Sequence, residues 1–314
     1  MTQEEQFLIS NRIGNDIFEK RVFIESNREL KFGDRFRWCP LAFICPVVTF
    51  ALKITGLWKY GYRGFHDIQV RENSVVIPHL PNEFENFRIL HLSDLHFDLE
   101  TSLTQVVINK IKDLSYDIVV ITGDFNNYTI HKTDKAFVET EKLMPFFKGR
   151  VYAVLGNHDS LDDVPVLEKM GMTVLLNEHV KIERGTQSIY LAGIDDPNIF
   201  KTHDLKKATR TIPEAAVKLL LSHSPCIYKE AGRAKIDFVM AGHTHGGQVC
   251  LPFGIMAHPR NYRGSRTVWR GAWKDTNVQG WTSAGTGASG VPIRINCPPE
   301  IVIHKIQKSL VSSR

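Results

Sequence analysis

The strongest constraint on this chain is a pattern that recurs five times. A short apolar run breaks off into Asp, Asn, Ser or His, usually with glycine beside it. The breaks are Asp94-Leu95-His96, Gly123-Asp124, Gly156-Asn157-His158-Asp159, Ser222-His223 and Gly242-His243-Thr244-His245. The runs before them, 88–92, 117–121, 150–155, 217–221 and 237–241, are short and rich in Val, Ile and Leu, as buried strands are. Further strands are expected at 173–176, 188–192, 292–295 and 301–304. Amphipathic stretches lie between the runs. Leu103, Val106, Val107, Ile111 and Leu114 recur at helical spacing, 136–147 is expected to hold a helix, and Leu161, Val164 and Leu167 mark another. Alternating strands and helices imply an α/β sandwich with its sheet inside and helices outside. Open sheets of this kind gather ligands at the carboxyl ends of their strands, so the five polar breaks should converge.

Singly, each break is weak evidence, since a lone Gly-Asp is usually a turn. As an ordered set they favour a paired metal centre. Two cations held close together need an anionic ligand between them, and Asp124 suits that position. His and carboxylate donors without thiolate favour Mn, Fe or Zn over a structural zinc site. The five cysteines are odd in number and form no C-x-x-C pair, which fits buried thiols in a reducing compartment. In 94–96 and 243–245, alternate residues of an extended chain point the same way, so both members of each pair can face one site.

In this order the five elements resemble the signature of the calcineurin-like metallophosphoesterases, over about Phe87 to the end. The resemblance implies a two-sheet β-sandwich flanked by helices, a four-layer αββα arrangement. It implies two divalent metal ions, with Mn the first expectation. Asp94, His96 and His245 would hold one, Asn157, His223 and His243 the other, and Asp124 would bridge them. His158 would protonate the leaving oxygen or stabilise phosphoryl charge, oriented by Asp159. A water acidified by both ions would attack phosphorus in line. No G-x-S-x-G or P-loop offers another chemistry. A binding scaffold that had lost catalysis would be expected to lack His158 or several donors, and this chain keeps all of them.

The first seventy residues carry a different signal. The polar stretch 1–37 has balanced charge and reads as a solvated helix or arm. Trp38 to Leu52 is then uncharged, with Arg35, Arg37, Lys59 and Arg63 outside it and Trp38, Trp58, Tyr60 and Tyr62 near its ends. It starts too late for a secretory signal, and at roughly 15 residues it is short of the ~20 that a spanning helix needs. Aromatic and basic flanks fit a segment lying on or dipping into a membrane surface, and the plainer alternative is a hydrophobic helix packed on the catalytic domain. The expected division is an arm and membrane-associating segment over 1–65 and a catalytic domain over 66–314. The expected location is the cytoplasmic face of an inner membrane, peripheral or monotopic.

The net charge of +5 suits an anionic ligand or membrane and is too small for a dedicated nucleic-acid coat. Between Gly246 and Trp273 no acidic residue occurs, while Arg260, Arg263, Arg266 and Arg270 alternate with Tyr262, Trp269 and Trp273. Such a stretch fits diphosphate or headgroup contact, or a solvated loop with packed Trp residues; nucleic acid is the weaker reading. Within the family, 242–248, 251–254, 192–197 and 296–300 are similar to bacterial envelope phosphodiesterases. One branch of these, the chlamydial-type UDP-diacylglucosamine pyrophosphatases, cleaves a sugar-nucleotide lipid during lipid A synthesis. That branch implies a lipid diphosphate as substrate; the alternative is a general phosphodiesterase of envelope or nucleotide esters. No protein partner is implied.

Overall fold

The computed structural model describes residues 1–35, 47, 49–127, 134–256 and 265–308. Two six-stranded sheets lie face to face. The first has the order β1 (Gln69–Val76), β14 (Glu300–Gln307), β2 (Phe87–Leu92), β3 (Ile118–Thr122), β4 (Val151–Val154) and β5 (Met172–Val174). The second has the order β12 (Gly271–Asp275), β13 (Val278–Thr282), β9 (Phe238–Ala241), β8 (Lys218–Leu221), β7 (Gln187–Gly193) and β6 (Glu178–Arg184). β2 to β5 are parallel, as are β7, β8, β9 and β13, so the breaks after β2, β3, β4, β8 and β9 fall at carboxyl ends.

The central strands are apolar on both faces because both faces are covered. Ile89, Val120, Leu219, Leu221, Phe238 and Met240 fill the space between the sheets. Leu90, Leu92, Val119 and Ile121 point the other way, against Leu103, Val107 and Ile111 of α4 (Ser102–Ile111) and Val164 and Leu167 of α6 (Asp163–Lys169). Leu220 and Val239 pack outward against α7 (Leu205–Thr209) and α8 (Tyr228–Arg233). Each such side chain contributes roughly 1.5–3 kcal/mol of burial. The expected layers, helix, sheet, sheet and helix, are present.

The arm is helical and packed. α1 (Gln3–Ile13) begins with a capping box between Thr2 and Glu5, and its Ile9 and Ile13 are buried in the cluster that also holds α4 and α6. Arg12 pairs with Glu168 at 2.8 Å and Glu178 at 2.6 Å. α2 (Asn15–Arg35) follows, and α3 (Leu57–His66) leads into β1. Of the apolar segment, 38–46 and 48 lie outside the described residues, as do Arg37, Arg260, Tyr262 and Arg263. Among the described residues no helix is long and apolar enough to cross a membrane.

One expected strand is absent. Residues 292–295 form only a single bridge, Val249 to Ile295, because the buried Arg294 turns inward to donate to the His245 carbonyl. Trp273 is a packed residue, its indole N–H donating to Thr282 Oγ1 at 2.9 Å.

Candidate metal centre

All seven candidate donors converge at one end of the sandwich. Asp94, His96 and His245 form one group and Asp124, His223 and His243 another, each with its ligand atoms within 4.8 Å of one another. In the first, His96 Nε2 lies 3.3 Å from His245 Nε2, and His245 Nε2 lies 3.4 Å from Asp94 Oδ1. In the second, His223 Nε2 stands 3.0 Å from Asn157 Oδ1, 3.2 Å from His243 Nδ1 and 3.3 Å from Asp124 Oδ2. Asp124 Oδ2 is also 3.7 Å from His96 Nε2, which puts this carboxylate between the groups.

The ring orientations are fixed from behind. Nδ1–H of His96 donates to the Asn126 carbonyl at 2.7 Å, and Nδ1–H of His223 donates to the Thr122 carbonyl at 2.8 Å. Each ring therefore presents its Nε2 to the centre. The Asn198 amide stands 2.8 Å from His243 Nε2. The backbone is strained where these groups sit. Five of the twelve non-glycine residues with positive φ among the described residues are Asp94, His96, Asp124, His243 and His245. Strain of this kind persists only where the surroundings over-determine it. Asp159 is one such constraint, accepting the N–H groups of Asp124 at 2.7 Å, Gly156 at 2.8 Å and Phe125 at 2.9 Å. Two glycines let the loops approach: a Cβ on Gly156 would stand 2.1 Å from Asp124 Oδ1, and one on Gly242 would stand 2.4 Å from Asp94 Oδ2.

The electrostatics fit a cation. Burial pushes His96 down to about 3 and, aided by His96 and Arg294, holds His245 well below its usual range, so both rings stay neutral. Burial would also lower His223, but the Asp124 carboxylate outweighs it and raises the ring to about 10. Burial raises Asp94 to about 6 in spite of His223. Acceptor atoms crowd together around Asp124, and the cluster takes up a positive charge, either a proton on His223 or a metal ion.

His158 stands at the rim. Its Nε2 is 4.0 Å from Asp124 Oδ2 and its side chain is partly exposed. The expectation that Asp159 orients it is corrected: His158 Nδ1–H donates to the Asn127 carbonyl at 2.7 Å, while Asp159 clamps the loop backbone. Two residues that support the site escaped the sequence reading. Arg294 donates to the carbonyls of His245, at 2.7 Å, and Gly287; a charge inside the apolar run 291–297 was the available signal. Arg21 of α2 donates to the Asp159 carbonyl at 2.9 Å and pairs with Asp195 at 2.5 Å. Nothing in its local sequence marks it.

A family model described as calcineurin-like phosphoesterase matches residues 87–247. A Bacillus subtilis protein called metallophosphoesterase YkoQ is 30% identical over 231 residues, 71% of this chain and 84% of that protein. A Danio rerio protein named a transmembrane protein with metallophosphoesterase domain is 29% identical, covering 93% of this chain and 67% of its own length. A metallophosphoesterase of Helicobacter pylori is 27% identical over 82% of this chain and 69% of its own.

Proposed function

We propose, on the premise that the chain belongs to the calcineurin-like phosphoesterase family, that it hydrolyses phosphodiesters presented at a membrane surface. The family makes it a metal-dependent phosphoester hydrolase, and the two donor groups imply divalent metals. The observation that carries the reading is the pair of groups meeting at Asp124. In this proposal Asp94, His96 and His245 would hold one ion and Asn157, His223 and His243 the other, with the Asp124 carboxylate lying between the two groups. Mn²⁺ is the proposed native ion. Two bound cations would acidify a water and neutralise the phosphoryl oxygens.

The chain's own residues supply the rest. His158, held at Nδ1 by the Asn127 carbonyl, presents Nε2 to the site; starting as imidazolium, it passes its Nε2 proton to the leaving oxygen and is left neutral with Nδ1–H still on the carbonyl. Arg294 and Asp159 keep the donor loops from relaxing, so no reorganisation is needed as charge moves.

Membrane contact is supported by two exposed apolar features. Val47, Phe50, Ile54 and Leu57 recur every three or four residues and are exposed, beside Lys53 and Lys59. Leu251, Phe253 and Ile255 project from a short hairpin, with Phe253 99% exposed. Apolar side chains beside basic ones suit an anionic bilayer surface, at the cytoplasmic face in this proposal. A lipid-linked diphosphate such as UDP-diacylglucosamine is the narrower candidate substrate.

The test is a substrate panel with added Mn²⁺: a phosphomonoester, soluble and lipid-linked phosphodiesters, UDP-diacylglucosamine and DNA. Metal-dependent turnover fastest on a lipid-linked ester supports the proposal, and no phosphodiester turnover sinks it. Sedimentation with anionic vesicles tests the surface. Replacing Leu251, Phe253 and Ile255 together with Ser should release the protein, and unchanged binding would remove the hairpin's role.

A further inference from the structure

A cavity of about 300 Å³ lies beside His158, walled on one side by the loop 157–163 and on the other by α1 and α2. Nothing in the metal chemistry requires it. Its apolar surface comes from Phe18, Val22 and Phe200, and its charged rim includes Glu25, Asp162 and the N-terminal ammonium of Met1, which pairs with Asp162 at 3.0 Å. The wall is tied to the loop. Arg21 lies 3.4 Å over the Phe200 ring, pairs with Glu25 at 2.7 Å and donates to the Asp159 carbonyl at 2.9 Å. Glu25 in turn accepts the Leu161 N–H at 3.2 Å. Fixed walls on both sides make this a preorganised pocket.

We propose that this cavity is the leaving-group subsite and takes an uncharged alcohol with an apolar face. The inference rests on the phosphoesterase reading above and narrows it. Position comes first: the alcohol attached to the oxygen that His158 protonates must lie on the His158 side of phosphorus, where the cavity opens. Charge comes second. Glu25 is already paired with Arg21 at 2.7 Å and Asp162 with the N-terminal ammonium of Met1 at 3.0 Å, so a charged leaving group of either sign would have to displace one of these pairs. A leaving group that is itself a phosphate is thereby disfavoured, so this inference ranks lipid-linked phosphodiesters above UDP-diacylglucosamine, the narrower candidate named above.

The experiment uses the full chain loaded with Mn²⁺ and three aryl esters of thymidine 5′-phosphate. Their leaving phenols carry an acetyl, a trimethylammonio or a carboxylate group, and each rate is divided by its uncatalysed rate. Wild-type kcat/KM should be about fivefold lower for the carboxylate than for the acetyl ester, roughly the effect of displacing one exposed ion pair. Asp162→Lys changes a side chain that is 64% exposed and puts a cation in place of the Met1 ammonium's partner, so it should reduce the discrimination against the carboxylate. Val22→Trp fills the cavity and should raise KM for the acetyl ester about tenfold or more with bound Mn²⁺ unchanged. Equal rates for the three charges, or no response to either variant, would overturn the proposal. Failure to hydrolyse any ester would instead remove the phosphoesterase reading. The cavity is then judged by saturation-transfer NMR with p-cresol and 4-hydroxybenzoate. Preference for p-cresol, lost in Val22→Trp, upholds it; no binding, or equal binding, overturns it.

Discussion

Two regions meet at the cavity beside His158, and they are built on different physics. The strand-end loops are strained and polar, held by buried hydrogen bonds such as those that the Asp159 carboxylate accepts from four backbone N–H groups. The N-terminal helices are unstrained and amphipathic, held by Ile9 and Ile13 in the core and by one buried guanidinium, Arg21. The loops place reactive groups to fractions of an ångström, which needs a scaffold that cannot move. The helices supply a wall, which needs only to be present and the right shape. Changes in the loops should therefore strike metal binding and kcat, and changes in the helices should strike KM and stability.

The sharpest contrast lies within the loops. Asp124→Asn removes the charge between the two donor groups and should abolish turnover with loss of at least one metal, measured by elemental analysis. Retention of both metals and most of the rate would break the two-ion reading. His158→Asn should keep metal content and lower kcat by roughly 10²–10⁴, the usual scale for a lost general acid. Metal loss in that variant would move His158 into the ligand set.

The helices answer differently. Arg21→Met leaves Asp195 buried without its 2.5 Å partner and should cost about 3–5 kcal/mol, read from denaturant unfolding. It also loosens the tie between α2 and the Asp159 loop, so KM should rise more than kcat falls. Adding Asp195→Leu should recover part of the stability. An unchanged midpoint in the single variant would show that the wall is held by apolar packing alone.

This difference also decides what the sequence could reveal. The donor loops were legible because strand ends force polar residues into fixed order; six of the candidate residues fall into the two groups, and Asn157 Oδ1 lies 3.0 Å from His223 Nε2. The central strands were legible because burial on both faces leaves unbroken apolar runs. β1 and β6 were not, since they lie at sheet edges and alternate polar and apolar residues, as in Gln69–Val76. β12 and β13 were hidden by their mixed composition around Trp273 and Trp281. The packing of α1 and α2 was invisible for another reason. Arg21 lies 174 residues from Asp195, and only the tertiary fold makes a buried pair of a charge that reads as a surface residue.

The mildest test concerns a polar element in neither region, the histidine pair between the sheets. The Asn73 amide donates to His304 Nδ1 at 3.0 Å, so His304 Nε2–H donates to His91 Nδ1 at 3.1 Å, and His91 Nε2–H donates to Thr122 Oγ1 at 2.9 Å. Both rings are neutral in this chain of bonds. Burial pushes His91 down to about 3, and burial with the neighbouring His91 holds His304 well below its usual value. In the unfolded chain both take protons near 6.5. Below that pH the unfolded state binds more protons than the native one, so stability is full above about 6.5 and is lost as pH falls toward 3. Each histidine contributes a slope of about 1.4 kcal/mol per pH unit within that window. A variant with His91→Gln and His304→Gln starts less stable, yet its stability should fall more gently between those limits, by up to two protons' worth of slope. Parallel wild-type and variant curves would mean that the pair takes up protons in the native state, and that the space between the sheets is wetter than its packing indicates.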